Sequence, residues 1–88
     1  MQDILTVDQA IFAIRSAFAP LRCVAEPHDY ENEIGFRVYG PDGEILVTVA
    51  DTKRSVFSDP SSLGIRLTAV RERLIDRGFN LAPWRMPF

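Results

Sequence analysis

The 88-residue chain has few of the residues that build disulfides, metal centres and catalytic sites. Cys23 is its only cysteine and His28 its only histidine, so an internal disulfide, a Cys/His zinc site and a paired-histidine metal site are excluded. The acids around His28 follow no calcium-loop spacing, and no nucleophile stands in a pattern with a base. We therefore predict a non-enzymatic protein with no catalytic residue, no cofactor and no metal.

Long apolar runs are also missing. No stretch approaches the roughly 20 apolar residues that span a bilayer, and residues 1–5 lack the basic and apolar regions of a signal peptide. The length, with 47% hydrophobic and 25% charged residues, is typical of one folded domain. We predict a single domain over residues 1–88 that is cytoplasmic and does not bind membranes.

Charge is divided unevenly along the sequence. Residues 1–51 carry nine acids and three arginines, a net charge of −6, whereas residues 52–88 carry seven bases and three acids, a net charge of +4. An acidic half and a basic half on one small domain favour self-association or a charged partner. A partner subunit is also a common source of stability for a domain of this size that lacks disulfides and metals.

The first apolar periodicity is helical. Thr6 and Gln9 have the spacing of a capping box, and apolar residues then recur every three or four positions until Pro20. Because the residue before a proline is disfavoured in the α conformation, this pattern predicts a helix over residues 7–19. Phe12 lies opposite the apolar stripe and is expected to be partly exposed.

A second helix is expected near the C-terminus. Asp59 is a good N-cap, Pro60 suits the first helical position, and a leucine stripe follows. Gly78 is expected to end the helix in a left-handed cap, so the prediction is a helix over residues 60–77. The remaining residues, 79–88, contain two prolines and are expected to form an extended aromatic tail.

Residues 21–50 alternate between apolar and polar positions, which is the period of β-strands. The Gly-Pro-Asp-Gly sequence at residues 40–43 predicts a hairpin turn, with the second glycine in the left-handed region. The expected fold is α+β: a three-stranded antiparallel meander with two helices on one face, in the order α-β-β-β-α. Residues 51–58 are expected to form a polar connection with an apolar anchor at Val56-Phe57.

One face of this sheet is left without a helix. Tyr39, Leu46, Thr48 and Arg37 are expected there, and such a half-apolar face usually marks an interface. Either the tail or a second copy of the chain would cover it. The tail carries residue types that dominate binding hot spots, although it could equally complete the core of its own chain. The predicted partner-binding residues are Tyr39, Leu46, Trp84, Arg85, Met86 and Phe88.

The leading prediction is therefore a protein-interaction module, either a homodimer or a binder of another protein, with a small chaperone-like dimer as a further option. Basic residues suggest an alternative, because Arg66, Arg73 and Arg77 lie within about 40° of one another on a helical projection. Together with Lys53 and Arg54 they could contact phosphates in a nucleic-acid-binding accessory protein. Arginines beside a buried stripe more often lie over it and pair with nearby acids, so this reading is not favoured.

Cys23 and His28 are expected on opposite faces of the first strand. Five residues separate them, so Cys23 is interpreted as a small buried apolar residue rather than as a thiolate activated by the imidazole. The acidic residues around His28 are interpreted as a solvated loop.

The stretch Ser-Ala-Phe-Ala-Pro-Leu-Arg-Cys at residues 16–23, followed by a short sheet and an arginine-bearing helix, resembles small uncharacterised proteins of pseudomonads that are classed as domains of unknown function. The similarity covers most of the chain in layout. The Phe-x-Pro-x-x-Cys pattern is the junction between a helix end and a strand, and the sequence departs from the group from Asn80 onward. The resemblance implies the α-β-β-β-α layout and carries over no activity and no functional residue.

Overall fold

The structure is a computed structural model that describes residues 4–88. Residues 1–3, on which part of the expectation of no signal peptide rests, lie outside the described residues. The elements are α1 (Val7–Ser16), β1 (Arg22–His28), β2 (Glu33–Tyr39), β3 (Ile45–Lys53), α2 (Arg54–Phe57) and α3 (Pro60–Asp76). The strands form one antiparallel sheet in the order β1-β2-β3, which confirms the predicted α+β fold. Among residues 4–88, no helix has both the length and the apolar character needed to cross a membrane.

Helix α1 begins as predicted and ends three residues earlier than predicted. The Thr6 hydroxyl accepts from Gln9 N–H at 3.1 Å, and Gln9 Oε1 accepts from Thr6 N–H at 2.9 Å, which completes the capping box. The helix stops at Ser16 because the ring of Pro20 would clash with the carbonyl four residues before it. Phe12 is 59% exposed, as its position on the helix predicts.

The turn between β2 and β3 contains the expected left-handed glycine, with Gly43 at φ 83°. The strand pairing then slips by one residue: Val38 pairs with Val47, whereas Tyr39 pairs with Ile45. Leu46 is the extra residue of this β-bulge. The bulge changes which side chains of β3 lie on each face of the sheet.

The connection predicted for residues 51–58 is more regular than expected. β3 continues to Lys53, and α2 follows directly and buries Phe57, one of the two residues expected to anchor this stretch. Thr52, at the end of β3, is fully buried on the core face, and within the described residues its hydroxyl makes no hydrogen bond. An unpaired buried hydroxyl costs about 1–3 kcal/mol of stability.

Helices α1 and α3 cover the core face of the sheet. Phe18, just after α1, stacks on Phe36 of β2 with ring centroids 5.8 Å apart. The end of α3 has the predicted Schellman cap: Gly78, at φ 97°, donates to Ile75 O at 2.9 Å, and Phe79 N–H donates to Leu74 O at 3.1 Å. The buried residues of α3 are Leu63, Leu67, Val70 and Leu74.

Candidate interaction surface

The face of the sheet opposite the helices is the candidate surface, and we call it the open face. Its side chains form four rows across the three strands. Three rows follow the strand pairing, and Ala50 lies in the row of Gly35, where the pairing of β2 with β3 shifts a second time and the Ala50 carbonyl lies beside Gly35. From one end to the other, these rows are Arg22, Tyr39 and Ile45; Val24, Arg37 and Thr48; Glu26, Gly35 and Ala50; and His28, Glu33 and Lys53. Apolar side chains thus alternate with charged ones, which is a mixture typical of transient interfaces.

Gly35 creates a depression in the middle of the open face. A Cβ atom at this position would lie 2.6 Å from Ala50 O and 3.0 Å from His28 Nε2, so only glycine lets the imidazole and the neighbouring strand come this close. The resulting groove has a volume of about 380 Å³. Its walls carry the apolar Val24 and polar or charged side chains such as Arg37; we call it the Gly35 groove.

Charge is graded along the open face. Arg22 and Arg37 lie toward the end at which β2 leaves the sheet, and the Arg22 guanidinium lies 4.3 Å from the centroid of the Tyr39 ring. Glu26 and Glu33 lie toward the other end, where Lys53 is the one base in the same rows. In the sequence, the first half of the chain is simply acidic. The strand pairing places the arginines and the glutamates of that half toward opposite ends of the open face.

Two predicted residues of this surface have different environments. Tyr39 lies on the open face, as expected, but Leu46 packs partly against the core. The expected position of Leu46 was wrong because strict alternation was assumed along the whole of β3, and the bulge breaks it between Ile45 and Val47. Ile45, which is 54% exposed, occupies the place on the open face that Leu46 was expected to fill.

The tail packs on its own chain. Trp84 and Met86 pack against the core, and Trp84 Nε1 donates to Ser16 Oγ at 3.0 Å. Arg71 of α3 joins the tail to the end of α1, since its Nη1 donates to Ala17 O at 2.6 Å and its Nη2 donates to Ala82 O at 3.0 Å. The tail therefore completes the core and leaves the open face uncovered.

The other two predicted tail residues, Arg85 and Phe88, are exposed on the helical side. Phe88 is 47% exposed, with its ring edge-on to Phe12 at a centroid distance of 6.2 Å. A shallow apolar groove lies between the tail and α3, next to Gly64. The tail residues and the open face are thus two separate surfaces, not the single interface that the residue types suggested.

The basic residues considered for nucleic-acid binding are also divided. Arg77 Nη1 donates to Leu46 O at 2.9 Å, and the Arg77 guanidinium lies 5.6 Å from the Phe79 ring. Arg54 Nη2 donates to Glu31 O at 2.5 Å. Arg54 and Arg77 therefore hold loops and strands in place. The other three basic residues of this set, Lys53, Arg66 and Arg73, have exposed side chains.

Cys23 lies on the core face, opposite His28, as the alternation predicts. Burial raises the pKa of the Cys23 thiol to about 12, against a smaller lowering effect of Arg15, so the group is a neutral thiol at physiological pH. Within residues 4–88 no three His, Cys, Asp or Glu side chains lie close enough together to hold a metal ion.

No protein-family model, curated protein or solved structure matches this chain. The resemblance to the pseudomonad proteins therefore stays a prediction, and the surfaces of the chain carry the information about its function.

Proposed function

We propose that this protein is a non-enzymatic, cytoplasmic interaction module that forms a homodimer through the open face of its sheet. The observation that carries the proposal is that the tail and both long helices cover the other face, while the open face keeps exposed apolar residues around a groove. Val24 and Ile45 are the apolar residues concerned. Exposed apolar surface of this kind is most often an interaction site.

A second copy of the chain is the favoured partner because the open face complements itself in charge. In a two-fold dimer each copy offers the same surface, so a basic end must meet an acidic end. Antiparallel stacking of two open faces brings the end that carries Arg22 and Arg37 in one copy toward the end that carries Glu33 and the β1–β2 loop in the other. Complementary charges of this kind set orientation and speed association.

The size of the face predicts a weak dimer. Three strands about 4.8 Å apart, two with seven residues and one with nine, at about 3.3 Å per residue, project roughly 360 Å². Stable interfaces bury about 800 Å² on each partner, so the open face alone supports transient association that depends on protein concentration.

Sedimentation velocity over a wide concentration range tests the proposal. We expect wild type to associate reversibly and a Val24→Glu variant, with a charge in the middle of the open face, to remain monomeric. Ile65→Glu is the matched control, because Ile65 is 73% exposed on α3, in the helical layer. A wild-type protein that stays monomeric at every concentration, or a dimer lost equally in both variants, would refute the open-face homodimer.

Nucleic-acid binding is the alternative, and it is supported by the exposed side chains of Lys53, Arg66 and Arg73. It would show as a mobility shift with DNA or RNA that weakens as salt is raised and is lost in an Arg66→Glu/Arg73→Glu variant. Because both residues lie on α3, this variant leaves the open face intact, and the two functions can be tested separately.

A further inference from the structure

The loop between β1 and β2, residues 29–32, presents an aromatic side chain to solvent. Tyr30 is 95% exposed, the most of any large apolar side chain in residues 4–88. Tyrosine is a residue type enriched in binding hot spots. The ring therefore makes almost no contact with its own chain and is available to a partner.

The loop is held in one conformation. Asp29, Tyr30 and Glu31 have φ values of 51°, 53° and 68°, a left-handed run that is costly for residues other than glycine. Arg54, the first residue of α2, makes three hydrogen bonds to this loop. Its backbone N–H donates to Asn32 O at 2.8 Å. Its side chain donates through Nη2 to Glu31 O at 2.5 Å and through Nε to Asn32 Oδ1 at 3.4 Å. A loop that is already ordered loses little entropy when it binds.

The strand spacing shows what the loop would meet in the antiparallel dimer. The row of Arg37 lies four residues, about 13 Å, from the row of His28 at the base of the loop, and the loop tip extends a few ångströms further. A two-fold axis that passes between the rows of Gly35 and Glu33 therefore places the loop of one copy over the row of Arg37 in the other. That row lines the Gly35 groove.

Charge favours the same arrangement. Tyr30 lies between Asp29 and Glu31. The part of the groove under the loop has Arg37 on its wall and Arg22 nearby, whereas Glu26 lines the groove one row farther along. The acidic loop thus meets the basic end of the open face, and the aromatic ring meets the apolar side chain of Val24 and the floor at Gly35. The contact also adds area to an interface that the sheet face alone leaves small.

We propose that Tyr30 of each protomer inserts into the Gly35 groove of a second copy and anchors the homodimer. This inference rests on the proposed function, since it requires association through the open face. It identifies Tyr30 as the anchor and the Gly35 groove as its binding site, and it gives a reason for the left-handed loop conformation that Arg54 holds in place.

The dissociation constant from sedimentation velocity tests the anchor with variants that leave the folded chain intact, because the Tyr30 side chain is almost fully exposed. Tyr30→Ala should weaken the dimer by at least about thirtyfold, the loss typical of a hot spot. Tyr30→Phe keeps the ring and should weaken it by less than about tenfold. If Val24→Glu abolishes the dimer while Tyr30→Ala dimerises as tightly as wild type, the anchor is refuted and the open-face dimer stands.

Photo-crosslinking gives an independent reading of position. A benzophenone amino acid placed at position 30 should form crosslinks between chains, and mass spectrometry should locate them in β1, β2 or β3 at the groove. Crosslinks confined to the helices or the tail would overturn the inference. Crosslinking that needs another protein and never joins two copies of this chain would overturn both proposals.

Discussion

Arg71 is predicted to be the residue that fastens the tail to the domain. Its guanidinium donates to Ala17 O at 2.6 Å and to Ala82 O at 3.0 Å, and it lies 5.9 Å from the Trp84 ring. The Ala17 carbonyl follows the last residue of α1, where carbonyl oxygens have no partner within the helix and attract a cation. An Arg71→Ala substitution would remove all three contacts at once.

The magnitude follows from the exposure of each contact. The hydrogen bond to Ala17 O is partly buried and charge-assisted, and is worth about 1.5–3 kcal/mol. The exposed hydrogen bond to Ala82 O and the contact with Trp84 add about 0.5–1 kcal/mol each. Because these contributions overlap, we expect a loss of about 2–4 kcal/mol in the free energy of unfolding, which lowers the melting temperature by at least about 10 °C.

Trp84 reports on the tail directly, because it is the only tryptophan. In Arg71→Ala its emission should shift to longer wavelength and become accessible to a soluble quencher, and the melting temperature should fall as estimated. Arg71→Lys keeps the positive charge but lacks the planar set of guanidinium N–H donors. Its melting temperature and Trp84 emission should therefore lie between those of wild type and Arg71→Ala. Arg66→Ala, an exposed arginine on the same helix, should change stability by no more than about 0.5 kcal/mol. Unchanged Trp84 emission and stability in Arg71→Ala would refute the role of the guanidinium.

Three further substitutions test the sheet and its core. Thr52→Val removes the unpaired buried hydroxyl with little change in shape, so chemical denaturation should show a free energy of unfolding about 1 kcal/mol higher than in wild type. A lower free energy of unfolding would mean that the hydroxyl has a partner. Gly35→Ala places a Cβ atom 2.6 Å from Ala50 O, so the same measurement should show a loss of about 1–3 kcal/mol; a neutral result would contradict the close approach. The folded state keeps the Cys23 thiol protonated. Its contribution to the free energy of unfolding is therefore fully present below the unfolded pKa of about 8.5 and is lost as the pH rises toward about 12. Cys23→Ala should lack that part of the decline, and an identical pH profile in the two proteins would contradict the assignment.

Local signals in the sequence were sufficient for the elements whose ends are set by neighbouring residues. The capping box at Thr6, the Asp59-Pro60 start and the Gly78 cap each depend on contacts within a few residues, and all three are present. The alternation of Cys23 with its neighbours likewise predicted the face on which it lies. Such features need no knowledge of the tertiary fold.

Features that depend on residues far apart in the sequence could not be obtained in this way. The turn sequence predicted a left-handed bulge position at Gly43, but the bulge at Leu46, which changes the facing of Ile45 and Leu46, has no signal of its own in the sequence. The Gly35 groove exists because His28 and Ala50 meet there from the two flanking strands. Arg71 looks like any arginine beside a leucine stripe until the fold places two carbonyls within its reach.

The charge split in the sequence acquires a different meaning in the fold. Of the basic second half, Arg54, Arg71 and Arg77 donate to carbonyl oxygens of the first half or of the tail, so these cations hold the chain together. Glu26, Asp29, Glu31 and Glu33 lie at the loop end of the open face, and the two arginines of that face lie toward its other end, next to the turn that carries Asp42 and Glu44. In the fold, these three arginines of the basic half thus fasten distant segments together, while the open face carries its arginines and glutamates toward opposite ends. This surface is the one that a second copy can complement, which is why the open face, and not the arginine helix, is the first place to look for function.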